Sequence, residues 1–187
     1  MEKKSINKSL FTWEIIGVFF IIIVGTFLHF IYEWFGYSDF IGLFAPVNES
    51  VWEHLKLGFW AVVLWGGIEF AFVNKRANNF FLAKLSGVLA LEIMVVLVFY
   101  TYTAFTGRSI VAVDIGSFIL GVLICQAVTL LVYRKTKSSS AFFITGVAGL
   151  AFIAFAFMLF TYVTPRLCIF QDSRNGAYGP VKMSIEE

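Results

Sequence analysis

The sequence predicts an all-α fold, a polytopic transmembrane helical bundle, and three observations support this. Of the 187 residues, 59% are hydrophobic and only 14% are charged, whereas about a quarter of the residues of a soluble domain are charged. Aromatic residues make up 19% of the chain, which is typical of lipid-facing surfaces with aromatic belts near the headgroups. Five apolar stretches are each long enough to cross a bilayer as a helix of about 20 residues. The net charge of +2 is too small to indicate a nucleic-acid partner, and the length fits one membrane domain, 1–187.

The five spans are predicted at about 12–32, 51–73, 80–105, 110–133 and 141–163. Three lysines precede the first span, as in a signal peptide. Its apolar stretch is too long for a signal peptide, however, and no small-residue cleavage site follows it, so we expect it to be retained.

Orientation is predicted from the lysines and arginines near the span ends. If the N-terminus is cytoplasmic, most basic residues fall inside: Lys3, Lys4, Lys8, Lys75, Arg76, Arg134, Lys135 and Lys137. Fewer then fall outside: Arg108, Arg166, Arg174 and Lys182. We therefore expect a multi-pass protein of the cell membrane with a cytoplasmic N-terminus and an extracytoplasmic C-terminus.

The connection between the first two spans contains an apolar segment at 40–46 that is too short to cross the membrane. We expect a short interfacial or re-entrant segment near 38–47, ended by Pro46. Irregular backbone at membrane depth is tolerated only where protein or a cavity covers it. The segment should therefore be covered by the rest of the bundle.

Polar residues collect at the predicted outer ends of the spans. His29 and Glu33 are four residues apart, so they share one face of the first helix. Two interpretations stay open for this pair. It could ligate a metal or act in acid–base chemistry, or it could be a hydrogen-bonded pair that holds the first two helices together.

The second span begins with a polar run at 48–54. Asn48 is expected to be the N-cap, with Glu49 in the first turn, where a carboxylate favours the helix dipole. Capping does not explain Glu53 and His54, which come deeper. We predict catalytic roles for both, Glu53 as a base and His54 as a ligand or acid. Trp52 is a candidate binding residue or, more simply, an interface anchor.

These groups together could supply the nitrogen and oxygen ligands of zinc or a similar divalent cation. The predicted metal ligands are His29, Glu33, His54 and Asp114, with Asn48 and Glu49 as nearby binding residues. The sequence lacks the H-E-x-x-H pattern of zinc-dependent proteases. A haem held between His29 and His54 is disfavoured, since it needs facing imidazoles and an intervening cavity.

Glu92 and Gln126 lie near the middle of the third and fourth spans. A charged residue there costs about 2.5–3.5 kcal/mol on insertion scales, so it indicates a function or a specific partner. We predict that Glu92 and Gln126 contact each other, either as a transport site or as a neutral hydrogen-bonded pair. Glu69, near the inner end of the second span, is expected to extend toward Lys75 and Arg76.

The outer tail, 164–187, is rich in turn-forming residues, including Asn175-Gly176. Two interpretations stay open, a lid over the outer mouth or a loosely ordered tail. Cys125 and Cys168 lie in different settings, so we expect two unpaired thiols.

Two motifs carry a family resemblance: APVNESVWEHLK at 45–56 and FQDSRNGAYG at 170–179. With them the chain resembles a family of small prokaryotic multi-spanning membrane proteins of unknown function. The resemblance implies a polytopic membrane protein and transfers no activity. Membrane hydrolases of the ceramidase and adiponectin-receptor type carry a histidine-pair motif, whereas this chain has two histidines and no H-x-x-x-H.

Three functional hypotheses remain at this point. The first is an outward-facing enzyme, metal-dependent or acid–base, that acts on a membrane lipid or a lipid-linked substrate. The second is a small transporter or channel that uses Glu92 and Gln126. The third is a non-catalytic assembly subunit that binds other membrane proteins.

Overall fold

The computed structural model describes residues 2–74 and 76–180, with side chains from Lys8 onward. It contains six α-helices: α1 (Glu2–Trp34), α2 (Asp39–Gly42), α3 (Val51–Val73), α4 (Phe80–Thr106), α5 (Val111–Lys135) and α6 (Ser140–Tyr162). A short 3₁₀ helix, Cys168–Phe170, follows α6. Within this part of the chain there is no strand, only one antiparallel bridge between Gln171 and Tyr178. The predicted all-α bundle is confirmed. Lys75 and 181–187, with Lys182, lie outside the described residues.

Five helices are long and apolar enough to cross a membrane: Lys8–Trp34 of α1 and the whole of α3, α4, α5 and α6. Their ends lie within four residues of the predicted span ends. Many large apolar side chains point outward, such as Phe152 and Phe155 on α6, which are 71% and 61% exposed. A soluble protein rarely exposes so much contiguous apolar surface, whereas lipid chains cover it at no cost. The chain is a multi-pass membrane protein.

Every span contributes at least one apolar side chain to the interior of the bundle. Ile21, Phe59, Leu91, Val122 and Phe157 come from α1, α3, α4, α5 and α6, and all are at most 1% exposed. The helix α4 packs against α3, α5 and α6, while α1 packs against α3 and α5. All five spans therefore share one core.

Glycines allow the closest of these helix contacts. A Cβ atom placed on Gly146 of α6 would lie 2.2 Å from the backbone nitrogen of Leu82 in α4. A Cβ atom on Gly87 of α4 would lie 2.8 Å from the carbonyl oxygen of Cys125 in α5. No other residue fits at either position without moving backbone, as in small-residue interfaces of membrane helices generally.

The spans alternate in direction, so the bundle has two chemically distinct ends. The end of α1, the start of α3 and the start of α5 meet where the C-terminal tail, 163–180, leaves α6. We call this the tail end. The start of α1, the end of α3 and the start of α4 meet at the far end. Of the residues that the structure describes, the polar ones predicted to lie outside, such as His29, His54 and Asp114, are at the tail end.

The predicted short segment near 38–47 is present as the four-residue helix α2 and the turn that follows it. Gly42, Ala45 and Val47 are buried. The hydroxyl of Tyr162 in α6 donates a hydrogen bond to the carbonyl oxygen of Asp39. The bundle covers the later part of the segment, whereas Phe40 at its start is 67% exposed.

Candidate functional site

Three side chains converge at the tail end: His29 from α1, Glu49 from the loop before α3, and His54 from the first turn of α3. The two imidazole Nε2 atoms are 3.3 Å apart. His54 Nε2 lies 3.5 Å from Glu49 Oε2, and His29 Nε2 lies 4.0 Å from Glu49 Oε1. All three are part-exposed, at 30% for the histidines and 24% for Glu49. The predicted ligands His29 and His54 are thus brought together, with Glu49 beside them.

The orientation of the His54 ring is set by the backbone. His54 Nδ1 lies 2.9 Å from the carbonyl oxygen of Ser50, one turn earlier. A carbonyl can only accept, so Nδ1 carries the proton and donates it. The neutral ring then presents an unprotonated Nε2 to His29 and Glu49. Metal-binding histidines in proteins are commonly oriented in this way.

The spacing of the three ligands suits a tetrahedral cation. Zinc binds histidine nitrogen at about 2.0–2.1 Å, so two ligand atoms of one tetrahedral site lie about 3.3 Å apart. The two Nε2 atoms already have this separation. Glu49 is further away, since its oxygens lie 3.5 Å from His54 Nε2 and 4.0 Å from His29 Nε2, and its side chain would move toward the two histidines to complete the site.

The C-terminal tail holds Glu49 in place. The backbone N–H of Glu49 donates to Asp172 Oδ2 at 3.0 Å, and its carbonyl accepts from Ser173 Oγ at 3.0 Å. Arg174 places a guanidinium nitrogen 3.2 Å from Glu49 Oε2. Asp172 is buried and accepts from the backbone N–H of Arg174 at 2.7 Å, which closes the turn. Of the two interpretations of the tail, the structure shows a docked one as far as residue 180.

Two cavities meet at this cluster. The first, about 420 Å³, lies between α1, α3, α4 and α5. Its deeper walls are apolar and include Ile22, Leu91, Val95, Phe118 and Ile119. The second, about 430 Å³, lies under the tail and is lined by more polar groups, including Glu33, Tyr37, Asn48, Asp172 and Asn175. His29, Glu49 and Arg174 line both cavities. The ligand cluster therefore stands at the junction of an apolar and a polar space.

Two predicted metal ligands lie nearby but outside the three-residue cluster. Glu33 lines the second cavity. Asp114 lines the first cavity, where its Oδ1 accepts a hydrogen bond of 2.6 Å from the hydroxyl of Tyr102. That hydroxyl also accepts from the backbone N–H of Ile110, so Asp114 helps to fix the turn before α5.

Glu53 lies in a different cluster from His54. It is 2% exposed, forms a salt bridge with Lys56, and accepts a 3.0 Å hydrogen bond from the backbone N–H of Val47. Lys56 also donates to the carbonyl oxygen of Gly42 at 2.7 Å. These bonds fix the segment between α2 and α3. Glu53 lines neither cavity described above, and its catalytic role stays a prediction.

Asn48 is not the N-cap of α3, contrary to expectation. The N-cap is Ser50, whose Oγ accepts from the backbone N–H of Glu53 at 3.3 Å. Asn48 Oδ1 accepts from the N–H of Ser50, and Asn48 Nδ2 donates to the carbonyl oxygen of Gly179 at 2.9 Å. The amide therefore joins the loop before α3 to the tail, a long-range contact that local capping rules cannot anticipate.

Trp52 packs the tail onto the bundle. Its ring centroid lies 4.8 Å from that of Phe157 in α6 and 4.7 Å from that of Phe170 in the 3₁₀ helix. Within the described residues its Nε1 has no hydrogen-bond partner. The position of Trp52 beside the tail indicates a packing role.

The predicted contact between Glu92 and Gln126 is wrong. Gln126 Nε2 donates to the carbonyl oxygen of Glu14 in α1 at 3.1 Å. Glu92 Oε1 is buried and has no hydrogen-bond partner among the described residues. The two residues are at similar depth, but Gln126 is on the face of α5 that packs against α1. The depth of a residue in the membrane follows from its position within a span. The direction in which its side chain points depends on how the helix is rotated about its axis, which tertiary packing decides.

Glu69 also differs from expectation. It is fully buried and forms a salt bridge with Lys84 of α4, and it does not extend toward Arg76. Lys84 and Glu14 were missed as site candidates. Both lie inside predicted spans, where a charged side chain is costly to bury. That cost was the signal in the sequence that could have identified them.

Cys125 and Cys168 are free thiols, as predicted.

A comparison with protein-family models matches residues 1–180 to a family of unknown function, DUF6512. Because the match covers nearly the whole chain, the chain belongs to this family. No curated protein and no solved structure gives a significant match.

Proposed function

We propose that this member of a family of unknown function binds a divalent cation such as zinc through His29, His54 and Glu49, and uses it to hydrolyse a lipid or lipid-linked substrate. The main support for this proposal is the position of the three candidate ligands, which lie where the apolar cavity between the helices meets the more polar cavity under the tail. An amphiphile has the same division, with its hydrocarbon part on one side of the bond to be cleaved and its headgroup on the other.

The ligand set supports a catalytic cation more than a structural one. Structural zinc sites usually have four protein ligands, whereas two histidines and one glutamate leave a fourth position for water or substrate. A cation held there would activate water and polarise a carbonyl or phosphoryl oxygen. The part-exposed position of all three ligands gives water access to that fourth position.

The surrounding residues would orient the substrate. The apolar cavity between α1 and α5 suits an acyl or isoprenoid chain, because burying such a chain removes apolar surface from water. Arg174 borders both cavities, and its guanidinium can bind an anionic headgroup or stabilise developing negative charge. The tail that carries Arg174 also covers Glu49, so substrate binding and ligand positioning depend on the same segment.

The transport hypothesis is less well supported by the geometry. Transport through the bundle would need a polar cavity that reaches the middle of the spans. Neither of the two cavities is lined by Glu92 or Gln126. The assembly hypothesis rests on outward-facing apolar side chains, which contact with lipid already explains.

Metal analysis tests the first part of the proposal. The protein would be purified in detergent, stripped with a chelator, reloaded with zinc and measured by elemental analysis. Wild type should retain about one zinc per chain, while His29→Ala and His54→Ala should lose it. Glu33→Gln is the matched control, since Glu33 lies beside the cluster without joining it, and it should bind as wild type does. A wild type that binds no metal, or a His54→Ala variant that binds normally, would contradict the metal site.

Hydrolysis is tested separately with zinc-loaded and stripped protein. Ester and phosphoester lipids in mixed micelles would be supplied, and release of fatty acid or of a phosphorylated headgroup would be measured. We expect turnover only in the zinc-loaded protein and its loss in Glu49→Gln. Zinc binding without turnover across both lipid classes would limit the site to metal binding.

A further inference from the structure

A second group of charged side chains lies at the far end of the bundle, and it is almost completely buried. Glu14 of α1, Glu69 of α3 and Lys84 of α4 are 2%, 0% and 2% exposed. Lys84 forms a salt bridge with Glu69, and its Nζ lies 3.5 Å from Glu14 Oε1. All three residues lie within apolar spans. The cluster therefore joins three helices at a place that water does not reach.

The charges in this cluster do not balance. Two carboxylates face one ammonium group, which leaves one net negative charge if all three are ionised. From α5, the packed titratable groups are Tyr133 and Cys125, both buried, and neither can contribute positive charge. The ring of Tyr133 lies 5.8 Å from Lys84 Nζ. An uncompensated charge inside a membrane span is costly, so the excess negative charge needs a balancing group.

Several polar atoms around the cluster also lack partners. Among the described residues, Glu14 Oε2, Glu69 Oε1 and the hydroxyl of Tyr133 are buried without a hydrogen bond. Buried polar atoms are nearly always paired, so such a concentration in one place needs an explanation. A proton on one carboxyl would convert an acceptor into a donor and remove the excess charge. Two carboxylates that share a confined site commonly retain one proton between them.

We propose that Glu14, Glu69 and Lys84 form a proton-binding site in which the two carboxyls share one proton, so that the cluster is neutral. Release of this proton would leave a net charge between α1, α3 and α4. Protonation and helix packing at the far end are therefore coupled. The site is separate from the metal ligands, which lie at the tail end, and does not depend on a bound metal.

Infrared spectroscopy tests this site directly, because the C=O stretch of a protonated carboxyl is separate from carboxylate bands. The measurement would use protein in a maltoside detergent, which has no carbonyl group, near neutral pH. Every variant would carry Glu92→Gln, so that the buried Glu92 carboxyl does not contribute. We expect a protonated-carboxyl band in the Glu92→Gln protein that shifts on transfer to D₂O. The absence of that band would overturn the proposal.

Two further variants assign the band. Glu14→Gln and Glu69→Gln each leave a balanced pair with Lys84, so either substitution should abolish the band. Glu33→Gln, an exposed carboxylate at the other end, is the matched control and should retain it. A band that persists in both cluster variants would place the proton elsewhere and contradict the proposal. If one of the two variants is not monodisperse in size-exclusion chromatography, the other still tests the proposal.

A comparison of two salts distinguishes a proton from a sodium ion as the group that balances the excess negative charge of the cluster. Thermal unfolding would be compared in sodium chloride and choline chloride at equal ionic strength. A proton site predicts the same midpoint in both salts for wild type and for Glu14→Gln. Sodium-specific stabilisation of wild type that is lost in Glu14→Gln would show a sodium site and overturn the proposal.

Discussion

The buried pair of Glu53 and Lys56 fixes the loop from which Glu49 reaches the candidate metal centre. Both residues are buried, and the side chain of each also bonds to the backbone of the segment before α3. Such a pair contributes little net stability compared with an apolar replacement. Removal of one partner alone, however, leaves a buried charge without compensation.

The substitution Lys56→Met should therefore destabilise the protein by about 3–5 kcal/mol, because it leaves the Glu53 carboxylate buried and unpaired. The double variant Glu53→Gln/Lys56→Met removes both charges and should recover most of that loss. Thermal unfolding in detergent, followed by circular dichroism, measures both effects. If the double variant were no more stable than Lys56→Met, the loss would come from packing and not from charge.

The roles of single polar residues were the hardest to predict from the sequence. Their depth is visible, because it follows from position within a span. Their partners are not visible, because they depend on helix rotation and on contacts distant in the sequence. Gln126 contacts Glu14 in place of Glu92, and Asn48 contacts Gly179 in the tail. The convergence of His29 and His54 was predictable, since both are near the same end of consecutive spans.

The C-terminal tail acts as a positioning element for Glu49, one of the three candidate metal ligands. Asp172 is its central residue: it is 4% exposed, and its carboxylate accepts from the backbone N–H groups of Glu49, Arg174 and Asn175. The carboxylate thus both closes the turn of the tail and ties the tail to the loop before α3. The bond from Glu49 joins the two segments, and the bonds from Arg174 and Asn175 close the turn within the tail.

We expect Asp172→Ala to release the tail, because three backbone donors lose a shared acceptor, and a buried unsatisfied group costs about 1–3 kcal/mol. Limited proteolysis within 164–180 should become faster, and zinc affinity should fall because Glu49 is less well fixed. Asp39→Ala is the control, since Asp39 is an exposed acidic residue at the same end. Equal proteolysis rates in wild type and Asp172→Ala would show that the other contacts of the tail, such as Asn48 with Gly179 and Trp52 with Phe170, hold it without Asp172.

Whole helices were predicted more accurately than their contacts. Length and hydropathy are local properties, so the predicted spans match the helices to within four residues. The pairing of the helices depends on non-local fit, as at Gly146, where α6 lies against the backbone of α4. A glycine in a span allows close packing against any neighbouring helix, and its position in the sequence does not show which helix that is.

The two ends of the molecule carry different polar chemistry. The tail end has a part-exposed cluster of two imidazoles and a carboxylate, open to two cavities. The far end has a buried acid–base cluster around Lys84. The hydrocarbon core of a bilayer is about 30 Å thick, so groups at opposite ends of the spans meet different aqueous compartments. The orientation of the bundle therefore decides which compartment the candidate metal centre faces.

The excess of Lys and Arg at the far end predicts that this end is cytoplasmic and that the tail end faces outward. The two native cysteines allow a direct test, because Cys168 in the tail is exposed and Cys125 in α5 is fully buried. A membrane-impermeant maleimide added to intact cells should label wild type and should not label Cys168→Ser. Permeabilised cells should show no further labelling of Cys168. Labelling that appears only after permeabilisation would place the tail and the candidate metal centre in the cytoplasm. It would also limit the candidate lipid substrates to the inner leaflet.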